Sequence, residues 1–257
     1  MKTSPLSPDQ LAAYDRDGFL VVENLLSKDE VAALARRVRE YTHDGRAPGK
    51  IVMQMEPRVR RGELKVDHPG DGYRKLEGLV ENDDLFHGLG AHPNIVSVLT
   101  QILGPDIKMF RNALLLKPPH VGSAKGIHQD SPYWAIAPMA LCSCWFTLDD
   151  ATIENGCMAV IPGDHKRGPL PHKNITDDFV IEDGHYDPAK LVFKPMPAGS
   201  GLFFHSLLPH YTAPNRSPNW RRAIALSYMS AQSTWTGPGE SPPHLQITGR
   251  SHPGCVR

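Results

Sequence analysis

Apolar and polar positions follow two different periods along this chain, and the change falls near residue 105. Before it, apolar residues recur at helical spacing. Ser7–Asp17 reads as a short helix. Ser27-Lys28-Asp29-Glu30 is a capping box, in which the Ser27 hydroxyl takes the Glu30 amide and the Glu30 carboxylate reaches back. The helix it opens is expected to run to about Thr42, with Val31, Leu34, Val38 and Tyr41 on one face, and to end at Asp44-Gly45. Residues 45–72 are dense in Pro, Gly and charge and read as a long irregular loop. Val80–Gly90 and His92–Leu103 read as helices; His92-Pro93-Asn94 starts the second and Gly104-Pro105 stops it. From residue 106 short apolar runs recur between turn residues, at 107–116, 141–148, 157–161, 191–194, 201–205 and 222–230. That rhythm predicts a mainly β fold with α: an antiparallel double-stranded β-helix barrel, jelly-roll or cupin-like, flanked by N-terminal helices. One domain is expected over 1–257, with a helical annex (1–105), a jelly-roll core (106–233) and a tail or lid (234–257).

Composition narrows the function classes. Lys plus Arg and Asp plus Glu both total 28, so the formal net charge is zero, which argues against nucleic acid or an anionic membrane as the main partner. A small-molecule partner is expected, and the oligomeric state stays open. The apolar stretches fall far short of the ~20 residues that span a bilayer. Met1–Pro5 is followed by no apolar leader segment, and Cys255-Val256-Arg257 is not a peroxisomal address. Four cysteines do not form a disulfide framework. Cys142 and Cys144 alternate on one predicted strand face and, with Cys157, read as buried small hydrophobes, which fits a reducing cytoplasm.

The candidate chemistry lies in the β half. His128-Gln129-Asp130 is followed by His210 and then Arg221. On a strand, side chains i and i+2 share a face, so His128 and Asp130 can meet one ion while Gln129 points away. Two imidazoles and one carboxylate are the facial triad of non-haem Fe(II), which leaves half of an octahedron vacant. Two vacant positions suit a chelating 2-oxo acid and the third suits O2. Arg221 is a permanently charged fork suited to the far carboxylate of such a co-substrate. Spacing alone leaves the third ligand open, because Arg216 follows His205 by the same interval as Arg221 follows His210. Arg221 begins a clear apolar strand, whereas Arg216 sits in a Pro-rich turn. Asn155-Gly156 and Pro162-Gly163 read as tight turns, and His165 as a turn or core residue. Tyr133, Trp134 and Met53-Gln54-Met55 are candidates for lining a substrate pocket or for plain packing.

Three blocks together, Gly126–Trp134, Trp145–His165 and Gly201–Ala223, resemble the phytanoyl-CoA dioxygenase family of Fe(II)/2-oxoglutarate-dependent oxygenases. The opening Tyr14-Asp15-Arg16-Asp17-Gly18-Phe19-Leu20-Val21 resembles the start of that family. The resemblance covers about the first 230 residues in scattered blocks. It implies Fe(II), 2-oxoglutarate and O2 as cofactor and co-substrates, and His128, Asp130 and His210 as metal ligands and catalytic centre. It implies Arg221 as the 2-oxoglutarate clamp, with Thr212, then Lys75 from the helical annex, then Trp145 around the same co-substrate. Arg222 is then a surface charge and His205 a satisfied barrel histidine. The implied reaction hydroxylates an unactivated C–H of a small metabolite with release of succinate and CO2. Related halogenases replace the carboxylate with a small residue, so Asp130 favours hydroxylation, or a related desaturation or ring closure. No dense run of Lys and Arg marks a site for CoA phosphates, which leans the reading away from a CoA ester. Two other classes stay in view. A non-catalytic cupin-like barrel needs no complete triad, and a zinc hydrolase would want a neighbouring glutamate base of the H-E-x-x-H kind.

Overall fold

The computed structural model describes residues 6–257, so the leader reading of Met1–Pro5 lies outside the described residues. In chain order the helices are α1 (Pro8–Asp17), α2 (Lys28–Thr42), α3 (Pro57–Arg60), α4 (Leu79–Asn82), α5 (Asp84–Gly90) and α6 (Pro93–Leu103). The strands are β1 (Phe19–Val22), β2 (Val52–Met55), β3 (Tyr73–Glu77), β4 (Ile107–Lys117), β5 (Lys125–His128), β6 (Ile136–Ala137), β7 (Cys142–Thr147), β8 (Met158–Val160), β9 (His172–Ile175), β10 (Asp178–Ile181), β11 (Val192–Lys194), β12 (Gly201–His205), β13 (His210–Thr212), β14 (Arg221–Ser230), β15 (Thr234–Trp235) and β16 (Leu245–Thr248).

Both N-terminal helices open on capping boxes. Ser7 pairs with Gln10 and Ser27 with Glu30, so two orphan amides at each start are satisfied. The expected helix over Val80–Gly90 is two pieces. Asp83 breaks it, because its carboxylate accepts the amides of Leu85 and Phe86 as a new cap while also receiving Arg37 and the Tyr41 hydroxyl.

The strands form a jelly roll. The major sheet runs β1-β12-β7-β14-β4-β3-β2, with β16 also on β4; the minor sheet runs β11-β8-β13-β5. Strand parity sorts the side chains. On β7, Cys142, Cys144 and Phe146 pack into the core beneath the helices, while Trp145 belongs to the cluster between the sheets. On β14, Ile224 and Leu226 join the helix-side core, and Arg221, Ala225 and Ser227 face the interior.

The N-terminal segment is not only helical. β1 pairs β12 at one edge of the major sheet, and β2 and β3 extend the other edge beyond β4. Residues 45–72, expected as irregular, thus hold β2, α3 and a 3-10 turn at Pro69–Gly72. Four-residue edge strands carry too little periodicity to be seen without their partner. Residues 234–257 are docked rather than loose. β16 pairs the start of β4, the buried Lys108 ammonium donates to the Val256 carbonyl at 3.0 Å, and none of these residues lines the cavity described below. No helix among the described residues is long and apolar enough to cross a membrane.

Candidate active site

A cavity of about 430 Å³ lies between the two sheets, within the ~300–1,000 Å³ usual for small-ligand sites. The two histidines of the predicted triad reach it as cross-strand neighbours. His128 ends β5 directly opposite His210, which starts β13, and their ring centroids are 4.1 Å apart. Asp130 does not share a strand face with His128. β5 stops at His128, and Asp130 has helical backbone angles at the start of the 3-10 turn Ser131–Tyr133. The Ser206 carbonyl accepts the Asp130 amide at 2.9 Å and holds that turn against the sheet. Gln129 does point away. It is fully buried, its amide nitrogen donates to the Gly168 and Leu207 carbonyls, and its oxygen accepts the Leu170 amide.

The three side chains fit one ion. Asp130 Oδ1 lies 3.7 Å from His128 Nε2 and 3.9 Å from His210 Nε2, and the three ligand atoms all fall within 4.8 Å of one another. Two atoms bonded to one cation at roughly 2.1 Å are separated by no more than roughly 4.2 Å, and both measured pairs satisfy this. The tautomers are set as well. Nδ1 of His128 lies 2.8 Å from the Gly126 carbonyl and Nδ1 of His210 lies 2.9 Å from the Leu208 carbonyl, so each donates there and turns a bare Nε2 toward Asp130. Burial, then the neighbouring His210, pushes the His128 pKa well below the usual imidazole range and keeps it neutral, as a metal ligand must be. Behind Asp130, the Ser143 hydroxyl donates to Oδ2 at 3.4 Å and is tied to Ser227 at 2.9 Å.

Parity separates the competing histidines. On β12, Phe204 faces the cavity with its ring tilted against His210, 4.8 Å between centroids, whereas His205 turns to the other face against His165, 5.1 Å away between ring centroids. Arg216 is exposed. Arg221, by contrast, is 2% exposed and lines the cavity. Its Nη1 donates to the Leu115 carbonyl at 3.0 Å, its guanidinium sits 5.5 Å from the Trp145 ring centroid, and its Nε has no partner. Burial pushes its pKa down to about 10. The Trp145 Nε1 is a second buried donor without a partner. A buried cation and a buried donor, both short of acceptors, form a cradle that an anion would complete.

The other predicted residues divide. Thr212 lines the cavity on the same strand as His210. Lys75 lines it too, but from β3 of the major sheet rather than from a helix, and it pairs with Glu77 at 2.7 Å. Arg222 is not a free surface charge; it clamps Asp149 through Nε and Nη2 at 2.9 and 2.6 Å. Tyr133, Trp134 and Gln54 line the cavity, whereas Met53 packs against the helix-side core. Several cavity residues carry no motif and were invisible in the sequence: Arg74, Arg111, Lys117, Lys125 and Glu56 from strands and loops, and Asp177–Phe179 from the β9–β10 hairpin. That hairpin approaches β5 closely because residue 126 is glycine; a Cβ there would strike Val180.

Residues 14–223 match the family described as phytanoyl-CoA dioxygenase (PhyH). The chain belongs to the phytanoyl-CoA dioxygenase family. It is 32% identical over 238 residues to the peroxisomal phytanoyl-CoA dioxygenase of Rattus norvegicus, covering 88% of this chain and 69% of the rat protein. Among solved structures, the apo non-haem monooxygenase ThoJ superposes with a TM-score of 0.77 at 23% identity, over 96% of this chain and 86% of ThoJ. The epimerase SnoN, solved with Fe3+, α-ketoglutarate and nogalamycin RO, superposes with a TM-score of 0.68 at 21% identity, over 95% of each chain. These likenesses bear out the jelly-roll fold read from the strand rhythm. As a member of the phytanoyl-CoA dioxygenase family, the protein is a non-haem Fe(II)- and 2-oxoglutarate-dependent dioxygenase that uses O2.

Proposed function

We propose that His128, Asp130 and His210 hold Fe(II), that Arg221 grips the far carboxylate of 2-oxoglutarate, and that the enzyme hydroxylates an unactivated C–H of a small metabolite. The observation that carries this reading is the pairing of two features in one cavity: three converging metal-type donors, and a buried arginine whose Nε lacks an acceptor. When bound, the metal and 2-oxoglutarate supply O2 activation, with succinate and CO2 as by-products. The chain's own residues orient and insulate. The Gly126 and Leu208 carbonyls hold both imidazoles in the tautomer that presents Nε2. Ser143 steadies the second oxygen of Asp130. Arg221 over Trp145 gives the co-substrate carboxylate a charged fork in a dry wall, and we assign Thr212, Lys75 and Trp145 to the same co-substrate. Phe204 and Met158 exclude water from the inner end. Four free cysteines, three of them buried, suit a reducing cytoplasm.

The test is spectroscopic and catalytic. Anaerobic Fe(II) with 2-oxoglutarate should give a weak visible charge-transfer band, and His210→Ala should lose both that band and succinate release. His205→Ala, on the opposite strand face, should keep both. Full 2-oxoglutarate turnover in His210→Ala would remove the assigned ligand and with it the proposed centre.

A further inference from the structure

The cavity holds one cation that has neither a partner among the described residues nor a role in the proposed chemistry. It is lined by six basic side chains and four carboxylates. Five of the six cations are engaged. Lys75 and Arg111 share Glu77, Lys125 pairs with Asp178, Lys117 donates to the Ser123 carbonyl, and Arg221 donates to the Leu115 carbonyl. The carboxylates are committed as well. Asp177 accepts Arg61 Nη1, from outside the cavity, on both of its oxygens at 2.7 and 2.8 Å, Glu56 accepts from Ser123, and Asp130 belongs to the metal centre. Arg74 alone is half-buried and has no hydrogen-bond or ion-pair partner among the described residues.

The backbone explains how Arg74 comes to point inward. β2 and β3 pair Gln54 with Lys75 but Met55 with Tyr73, so Arg74 is an extra residue on β3. A bulge of this kind re-aims side chains and disrupts the local ladder. Its consequence is visible: neighbouring residues Arg74 and Lys75, which a regular strand would send to opposite faces, both line the cavity. Arg74 is felt across the site. Burial and, next, the charge of Arg74 push the Lys125 pKa down to about 8. A guanidinium that has lost part of its water and meets no carboxylate is suited to a planar oxyanion taken in two parallel hydrogen bonds. The aromatic rings of Tyr133, Trp134 and Phe179 line the same space and suit an apolar body.

We propose that Arg74 anchors an oxyanion, carboxylate or phosphate, on the prime substrate, so that the substrate class is a small molecule with an anionic end and an apolar body. This rests on the assignment of Arg221 and the triad to 2-oxoglutarate and metal. The probe experiment uses the full chain loaded with Ni(II) and saturating 2-oxoglutarate, which fills the Arg221 site without turnover. Hexanoate, hexyl phosphate and the neutral hexanamide are then titrated calorimetrically. Wild type should bind at least one anionic probe about tenfold more tightly than hexanamide, and Arg74→Gln should reduce that anion to the hexanamide level. Arg74→Lys keeps the charge without the fork and should fall between them. Preference for hexanoate over hexyl phosphate, or the reverse, identifies the oxyanion. Equal anion binding by wild type and Arg74→Gln overturns the proposal, as does a wild type that does not distinguish hexanoate and hexyl phosphate from hexanamide. Weakened 2-oxoglutarate binding in Arg74→Gln would move the residue to the co-substrate and overturn it too. Failure of wild type to bind 2-oxoglutarate at all would instead sink the underlying site assignment, and the two failures are separated by the first titration.

Discussion

Replacing Arg221 with methionine should change stability and co-substrate affinity in opposite directions. Without ligand, the guanidinium is 2% exposed, has one acceptor at 3.0 Å and leaves Nε unpaired. Burial pushes its pKa down to about 10. At ~1.4 kcal/mol per pH unit that displacement corresponds to roughly 3 kcal/mol of disfavoured charge at neutral pH. Methionine removes this cost but strands the Leu115 carbonyl, at about 1–3 kcal/mol. The ligand-free variant is therefore expected to match wild type or exceed it by up to ~2 kcal/mol. With ligand the sign reverses. Truncating one partner of a buried hydrogen-bonded charge pair costs about 2–5 kcal/mol, or roughly 30- to 4,000-fold in 2-oxoglutarate affinity. Wild type held at a hundred times its dissociation constant gains about 2.7 kcal/mol, which raises the melting temperature by roughly 5–11 °C for a chain of this size. The variant should gain less than about 1 kcal/mol at the same concentration. Calorimetric melts of the Ni(II)-loaded proteins with and without 2-oxoglutarate read both effects. A variant that melts well below wild type without ligand, yet keeps its affinity within about threefold, would show Arg221 to be a structural cation and refute the clamp.

Two further outcomes follow from named contacts. Ser143→Ala removes the hydroxyl 3.4 Å from Asp130 Oδ2 and should lower metal affinity roughly tenfold in an Fe(II) titration; an unchanged affinity would deny Ser143 its positioning role. Burial, then His165, pushes the His205 pKa down to about 4, below the ordinary ~6.5, so between those values the unfolded chain binds more protons than the folded one. Stability should therefore fall as pH drops from about 6.5 to about 4, and His205→Asn should flatten that part of a denaturation-versus-pH curve; an unaltered slope would place the acid sensitivity elsewhere.

Much of the site was legible because its parts are local. The capping box at Ser27 is written in four consecutive residues. Apolar runs marked the long strands β4, β7, β12 and β14. The donor types of His128, Asp130 and His210 named a metal before any geometry was available. The i, i+2 argument expected His128 and Asp130 to converge through a shared strand face; they do converge, but a turn pinned by Ser206, not a continuous strand, brings Asp130 round.

What sequence alone determined was identity and period: which residues carry donors, and where helix gives way to strand. What only the tertiary structure decided was facing and company. Period two says that neighbours alternate, but not which parity is inward, so spacing left His205 and His210 open, and only the pairing of β12 with β7 and β13 with β5 shows which of them faces the cavity. The bulge that turns Arg74 into the cavity exists only as a mismatch between β2 and β3. The basic wall missing from the linear chain assembles from residues 74, 75, 111, 117 and 125, drawn from three strands. The cause is the same in each case. Propensity acts over a few residues, whereas parity, bulges and charge clusters are set by hydrogen-bonded partners that lie far away along the chain.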